Sequence, residues 1–299
     1  MATRFELSLW GDSERSLRAA ADEAIEEIAL WHRRLSYFER SSDISHINAH
    51  ASSAPVRLDA ELFALLLECK RMHEISRGAF DPAIGGLMRA AGFRGELRNS
   101  KALSELSRTC SFNKVELDAS ERTIRLMSPD VRLDLGAIGK GWAIDRAMDT
   151  LRECGVPRAF VHGGTSSAAG FGAPQDAPWM IRVTPDRTGP LIALFDGAIG
   201  VSAPHGRVVE GSGHVLDPRS GGSAPLDRIC VVAAPDATHA DALSTGLLVD
   251  GFEADWFPQN FAALFRDPTQ GDSAWRERGF PVILSNPGAC APRIAVDRR

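Results

Sequence analysis

Strand-type and helix-type patterns follow one another along this chain without a regular β-α-β alternation, and that irregular order is what most narrows its fold. Regular alternation would signal a doubly wound parallel sheet; a mixed order favours α+β. Phe5, Leu7 and Leu9 alternate with polar residues as a strand. After the turn at Gly11-Asp12, Leu17, Ala21, Ala24, Ile25, Ile28 and Leu35 keep helical spacing to about Tyr37. Ser41-Ser42-Asp43 then interrupts with side chains that compete for backbone hydrogen bonds. Val56 and Leu58 predict a short strand, and Asp59 an N-cap for a helix to about Ser76, ended by Arg77-Gly78. The segment 79–86 reads as a loop, followed by a charged stretch with a short helix near Leu103 to Leu106. Val115, Leu117, Ile124 and Leu126 flank a turn as a hairpin, and Val131, Leu133 and Leu135 alternate as a further strand. That strand leads into a helix with Ile144, Ala147, Met148 and Leu151 on one face. Short strands are expected near 159–161, 180–183, 191–194, 199–202 and 229–232, then a helix over about 238–249.

No internal repeat, low-complexity run or Pro-rich linker divides the 299 residues, so a single α+β unit over 1–299 is expected, with mixed sheets and packed helices. The 34 basic and 39 acidic residues give a net charge of −5, which offers no excess to neutralise a nucleic-acid backbone. No stretch approaches the roughly 18 apolar residues of a membrane span. The five cysteines are widely spaced, odd in number and free of CxxC pairs, as expected of reduced thiols. The first residues, MATRFELSLWGDSER, carry no basic segment followed by an apolar run, so a cytoplasmic protein without signal peptide or lipid anchor is expected.

Four segments hold chemistry. In LDLGAIGKG (133–141), a P-loop would need Gly at 134 and Ser or Thr at 141, where the chain has Asp134 and Gly141. GFG (170–172) lacks the third glycine of a dinucleotide fingerprint. What remains is a strand ending in Asp134, glycines, and Lys140 at a helix N-terminus, where free N–H groups and an ammonium suit an anion. The same residues read equally as a strand-to-helix turn with a solvated lysine. GAFDP (78–82) sets Phe80 and Asp81 in a loop after a helix, and an Asp-Pro turn alone explains it. GHVLDPRSG (213–221) joins a titratable His214 to Asp217 and Arg219; a strand ending in a turn with a surface ion pair is the plain alternative. In ADALSTG (240–246), Asp241, Ser244 and Thr245 stand at i, i+3 and i+4, one helix face on which a carboxylate and two hydroxyls suit Mg²⁺. An N-capping Asp with small polar neighbours fits the same pattern. No GxSxG or HExxH occurs, and His162 and His205 have no partner at metal-ligand spacing.

Taken in order, LSYFERSSDISHIN (35–48), SRGAFDPAIGGLMRAAGF (76–93), LDLGAIGKGWAIDRA (133–147), FVHGG (160–164), GHVLDPRSG (213–221) and ADALSTGLLVDG (240–251) resemble the FAD:protein FMN transferase (ApbE-type) family. The likeness covers about 1–251 and leaves 252–299 as a divergent C-terminal segment. It implies that FAD binds with Mg²⁺, that a Ser or Thr hydroxyl of an acceptor protein attacks the FMN-side phosphorus, and that AMP leaves. By position it implies metal ligands at Ala137, Asp241, Ser244 and Thr245. It implies FAD contacts at Met1, Phe38, Ala79, Phe80, Asp81, Asp134 and Lys140, and a flavin pocket lined by Val215 and Leu216. His214 is the expected base and a further FAD contact, with Lys140 and Asp241 completing the catalytic set. Asp217 and Arg219 are expected to be structural or to orient phosphate.

The chain departs from the family pattern at Thr165, where an acid or amide follows the glycine pair, at Ser202-Ala203 in place of Ser-Gly, and at Ser244, where a second carboxylate can occur. These departures keep two further readings open: a non-catalytic FAD-binding protein, and an FAD hydrolase giving FMN and AMP.

Overall fold

The computed structural model describes residues 3–174, 177–184, 189–270, 272–279 and 294–297. Its first half runs β1 (Phe5–Trp10), α1 (Glu14–Arg34), α2 (Asp43–His50), β2 (Val56–Arg57), α3 (Ala60–Ile75), α4 (Gly85–Ala90), α5 (Ser100–Thr109), β3 (Val115–Asp118), β4 (Thr123–Leu126) and α6 (Gly139–Glu153). Next come β5 (Arg158–Gly163), β6 (Ser167–Phe171), β7 (Trp179–Arg182), β8 (Leu191–Leu194), β9 (Gly197–Ser202), β10 (Val208–Val209) and β11 (Ser212–Gly213). The chain closes with β12 (Ile229–Ala234), α7 (Ala237–Asp250), β13 (Ala262–Asp267), β14 (Asp272–Arg278) and β15 (Ile294–Asp297).

A seven-stranded sheet, ordered β1-β5-β6-β9-β12-β13-β14, forms the centre, and every neighbouring pair in it is antiparallel. The expected α+β class holds for that reason: no parallel crossover builds this sheet. Both faces are covered, so its strands alternate between two cores instead of between core and water. On β12, Cys230 and Val232 join the large core that holds Trp31, Leu66, Phe80 and Leu247. Val231 and Ala233 face the other way, against Ile192, Leu194 and Leu264. The three-stranded sheet β15-β8-β7 covers that second face. On the helical face, Ala20, Ala24 and Ile28 of α1 meet Ile144, Ala147 and Leu151 of α6.

Helix starts follow local chemistry. Asp59 caps α3 by accepting from the Glu61 and Leu62 N–H groups, as its position in the sequence predicted. Ser42 accepts from Ser45 N and caps α2, so the Ser41-Ser42-Asp43 interruption starts a second helix where the sequence suggested only a break. The loop expected over 79–86 gives way to α4 from Gly85. The strand expected at 131–135 is absent. Its residues are extended, but Leu133 exchanges both backbone bonds with the Asn48 side chain (2.7 and 2.9 Å), and Asp134 N donates to Pro82 O at 2.8 Å. An amide side chain takes the place of a neighbouring strand. The segment after 252 joins the central sheet through β13, paired with β12.

Helix α7 lies between α6 and β9 at backbone contact. A Cβ at Gly141 would stand 2.1 Å from Ala237 O, and one at Gly200 would stand 2.2 Å from Ala240 O. Only glycine permits this approach. Gly200→Ala forces β9 away from α7 and is expected to cost about 1–3 kcal/mol. Thermal unfolding reads this as a Tm lowered by several degrees; an unchanged Tm would mean that α7 is not seated on β9.

Candidate functional site

The centre of the site is a buried carboxylate. Asp241, on the first turns of α7, is 2% exposed, and a charge that deep needs partners. Its Oδ2 receives Lys140 Nζ at 3.3 Å and Gly141 N–H at 3.2 Å, both from the start of α6. Its Oδ1 receives the Ser167 hydroxyl at 3.1 Å, from β6. Lys140 Nζ also donates to Gly136 O at 3.3 Å, so the ammonium bridges the glycine loop and α7. The seat of α7 is fixed from below: Asp145 of α6 accepts Ala237 N–H and Thr238 N–H, each at 2.8 Å, and the Thr238 hydroxyl. Burial, added to by the charge of Asp236, pushes the Asp145 carboxyl up to about 7.

One turn along α7, Ser244 and Thr245 return their hydroxyls to Asp241 O at 3.0 and 3.2 Å. Ser202, at the end of β9, meets Ser244 Oγ at 2.8 Å and Thr245 Oγ1 at 3.1 Å. Asp241, Ser244 and Thr245 therefore share one face, as their spacing implied. Ala137 lies in the loop before α6, and among the described residues no backbone N–H donates to its carbonyl. One carboxylate and three hydroxyls meet on this face, and the Ala137 carbonyl is unclaimed in the loop before α6; hard oxygen donors of this kind suit Mg²⁺. Among the described residues, no three His, Cys, Asp or Glu side chains come together as a metal cluster.

A second pair stands beside the glycine loop. Asp134, 6% exposed, accepts Arg94 Nε at 2.7 Å and also the Arg94 Nη2. Its Oδ1 accepts Gly136 N–H at 3.1 Å, which links this pair to the loop that holds Lys140. The Arg94 guanidinium also lies over the rings of Tyr37 and Phe38, 5.3 and 5.4 Å from their centroids. Phe38 is 64% exposed, an aromatic face presented to solvent. Its exposure fits a stacking role better than a core role.

His214 follows β11. Its Nδ1 contacts Pro204 O at 3.0 Å, and a carbonyl only accepts, so Nδ1 carries the proton and Nε2 is the basic nitrogen. Burial lowers its pKa below 6.5, and the Lys140 and Arg207 charges push it in the same direction. The imidazole is therefore neutral at pH 7 and lies within electrostatic reach of Lys140.

Ala79, Phe80, Asp81, Val215 and Leu216, also expected at the ligand, are all buried. Val215 packs in the large core and Leu216 against Leu87 and Phe93, so both side chains are buried in protein. Phe80 is 2% exposed; its backbone, next to Ala79, packs on Gly246 of α7. Asp81 turns inward: it accepts Phe112 N–H at 3.0 and 3.1 Å and Ala83 N–H at 2.7 Å, beside His73 Nδ1 at 3.3 Å. Burial pushes its carboxyl up, and the charge of His73 pulls against that. It lines a separate cleft of about 400 Å³ with His73, Ser111 and Arg219. Arg219 pairs with Asp217 at 2.9 Å and Asp250 at 2.5 Å, tying the DPRSG turn to the end of α7, a structural role. Thr165 is exposed in the turn before β6. Met1 lies outside the described residues.

The sequence reading missed Arg94, Ser167, Asn48 and Arg207, each of which acts on a distant segment. Arg94 directly follows GF in a matched segment, and Asn48 ends one, which is the signal that pointed to them.

Known proteins resemble this chain in sequence and in fold. The FAD:protein FMN transferase of Treponema pallidum is 32% identical over 263 residues, spanning 79% of this chain and 73% of its own length. The protein of the same name from Vibrio cholerae is 28% identical over 255 residues, 80% of this chain and 75% of its own. The crystal structure of the ApbE protein of Thermotoga maritima superposes with a TM-score of 0.79 at 25% identity, covering 92% of this chain and 97% of that one. The flavin transferase ApbE of Vibrio cholerae shares the fold at a TM-score of 0.77. These relatives define a class of flavin transferases built on one α+β architecture. A model of the ApbE family matches residues 1–265, and the chain belongs to that family. Among the described residues, no helix is long and apolar enough to cross a membrane.

The Arg94–Asp134 pair is nearly dry, with side chains 10% and 5% exposed. Arg94→Ala strands a buried carboxylate and is expected to cost about 3–5 kcal/mol. Adding Asp134→Asn should recover part of that loss in a denaturant titration; strictly additive effects would show that the two side chains are not coupled.

Proposed function

We propose that this chain is a flavin transferase that moves FMN from FAD to a Ser or Thr hydroxyl of an acceptor protein and releases AMP. The observation that carries the reading is the Lys140–Asp241 pair at the glycine loop, with the neutral His214 within electrostatic reach of Lys140, in a chain whose relatives bear that activity by name. The exposed Phe38 ring, backed by Arg94, is proposed to stack on a flat part of the ligand. The Phe80 backbone, with Ala79, would shape the floor beside α7. Lys140 would balance charge on the diphosphate, which is most of what phosphoryl transfer asks of a protein.

The acceptor oxygen forms the new bond to the FMN-side phosphorus as the bond to AMP breaks. His214 Nε2 takes the hydroxyl proton, with Nδ1–H anchored on Pro204 O so that the basic nitrogen is fixed. The Asp241 carboxylate, the Ser244 and Thr245 hydroxyls and the Ala137 carbonyl would hold Mg²⁺, which supplies Lewis-acid neutralisation of phosphate oxygens when bound. The same proposal places the reaction in the cytoplasm. The thiols of Cys69, Cys110, Cys154 and Cys230 are all unpaired, as suits a reducing compartment.

Incubation with FAD, Mg²⁺ and an acceptor protein tests the reading by in-gel flavin fluorescence and AMP release. Covalent fluorescence supports the transferase. AMP alone would make the chain an FAD hydrolase, and FAD binding with neither signal would make it a binding protein. Asp241→Ala should abolish Mg²⁺-dependent turnover while the circular dichroism spectrum stays native.

The pH profile follows from His214. Its folded pKa is lowered, so the basic form is populated above a value below 6.5, and the acid limb of kcat/KM should have its midpoint there. His214→Ala should lower kcat by about 10²- to 10⁴-fold and remove that limb. A limb that survives the substitution belongs to another group.

A further inference from the structure

We infer that the free protein keeps no divalent cation at Asp241 and acquires one only together with a diphosphate-bearing ligand. This rests on the flavin-transferase reading, and it concerns the order in which that site fills. The argument is one of charge. Asp241 is the single carboxylate of the donor set, and Lys140 Nζ stands 3.3 Å from its Oδ2. Carboxylate and ammonium cancel, so the set as a whole is neutral. The remaining donors are hydroxyls and a carbonyl, which carry no charge. The three hydroxyls also serve one another: Ser202 Oγ lies 2.8 Å from Ser244 Oγ and 3.1 Å from Thr245 Oγ1. Both Asp241 oxygens are likewise engaged, Oδ1 by Ser167 and Oδ2 by Lys140 and Gly141 N–H.

A strongly hydrated dication gains little by entering a neutral set whose carboxylate and hydroxyl oxygens are already bonded. Mg²⁺ loses its waters reluctantly and is held in such sites by one or two carboxylates plus substrate phosphates. A diphosphate changes the balance in two ways. It brings ionised oxygens of its own, and it offers Lys140 a second anion. Once the ammonium turns to the phosphate, Asp241 Oδ2 faces the cation. Lys140 therefore stands between Gly136 O and Asp241, where its ammonium takes the place a cation would hold. By linkage, the diphosphate must raise cation affinity by the factor that the cation raises diphosphate affinity.

The full chain is titrated with MgCl₂ by calorimetry, alone and saturated with FAD, and FAD affinity is read by flavin fluorescence with Mg²⁺ or with EDTA. The expected result is no saturable Mg²⁺ uptake by the free protein, one equivalent taken up with FAD present, and FAD bound about 10- to 100-fold more tightly with Mg²⁺. Lys140→Gln removes the ammonium and should give the free protein saturable Mg²⁺ binding, as should Ser244→Asp, which adds a charge to the same face. Equal Mg²⁺ affinity with and without FAD, while FAD binds, overturns the inference and leaves the flavin reading standing. A free Lys140→Gln protein that takes up no more Mg²⁺ than the wild type overturns it as well. Failure to bind FAD even with Mg²⁺ overturns both.

Discussion

A carboxylate in the interior has to be answered by donors from several elements, and Asp241 sets that demand here. At 2% exposure it would be several kcal/mol out of place without partners. The partners arrive from α6 as Lys140 and Gly141 N–H, and from β6 as Ser167. For the Gly141 N–H to reach it, α6 must lie on α7 at backbone distance, which residue 141 allows because it has no side chain. Gly200 admits the same helix to β9 from the other side. Asp145 then holds the first turn of α7 by its open N–H groups. The packing of α6, α7 and the central sheet and the placement of the functional carboxylate are thus one arrangement, met by small residues at the crossings and polar ones at the ends.

How much of this could be read from the sequence depended on the range of the interaction. Helices α1, α3, α6 and α7 announced themselves by local periodicity and caps, as Asp59 did for α3. Asp241, Ser244 and Thr245 fall together because a helix turn places them so, and their spacing told as much. The expectation failed where the partner was remote. Val131, Leu133 and Leu135 alternate as a strand does, yet Asn48, 85 residues away, satisfies the Leu133 backbone. Strand β6 has the sequence SAAGF, small and buried, with no alternation to betray it. Asp81, expected beside the ligand, fastens the Phe112 backbone 31 residues away, a bond that nothing local announces. The site's electrostatics were equally hidden, since Arg94 reaches Asp134 across 40 residues.

Two carboxylate–cation pairs flank the Gly136 peptide: its N–H is held by Asp134 and its carbonyl by Lys140. Each carboxylate faces a cation from a different part of the chain, so the glycine loop is fixed by charges that nearly cancel. The Arg94–Asp134 pair can keep its hold on the Gly136 N–H even when a charged ligand draws Lys140 toward itself. The cost is that little net positive charge remains to attract a diphosphate. Arg207, near His214, is exposed and lies outside both pairs.

The same cations act on His214, the proposed base. An imidazole in water is half protonated at pH 6.5, and half its population could not accept a proton there. Burial, Lys140 and Arg207 all disfavour the charged form of His214, so the neutral form with a free Nε2 is favoured at neutral pH. A lower pKa also makes a weaker base, and the Pro204 carbonyl works against the loss by supporting the Nδ1–H as charge develops on the ring. The proton on a Ser or Thr hydroxyl becomes acidic only as the bond to phosphorus forms, so a weak base favoured in its neutral form suits the proposed step, in which positioning does most of the work. Were His214 moved into contact with a carboxylate, its pKa would rise and its protonated fraction with it. The site holds its two carboxylates on Lys140 and Arg94 instead, and the imidazole on a neutral carbonyl.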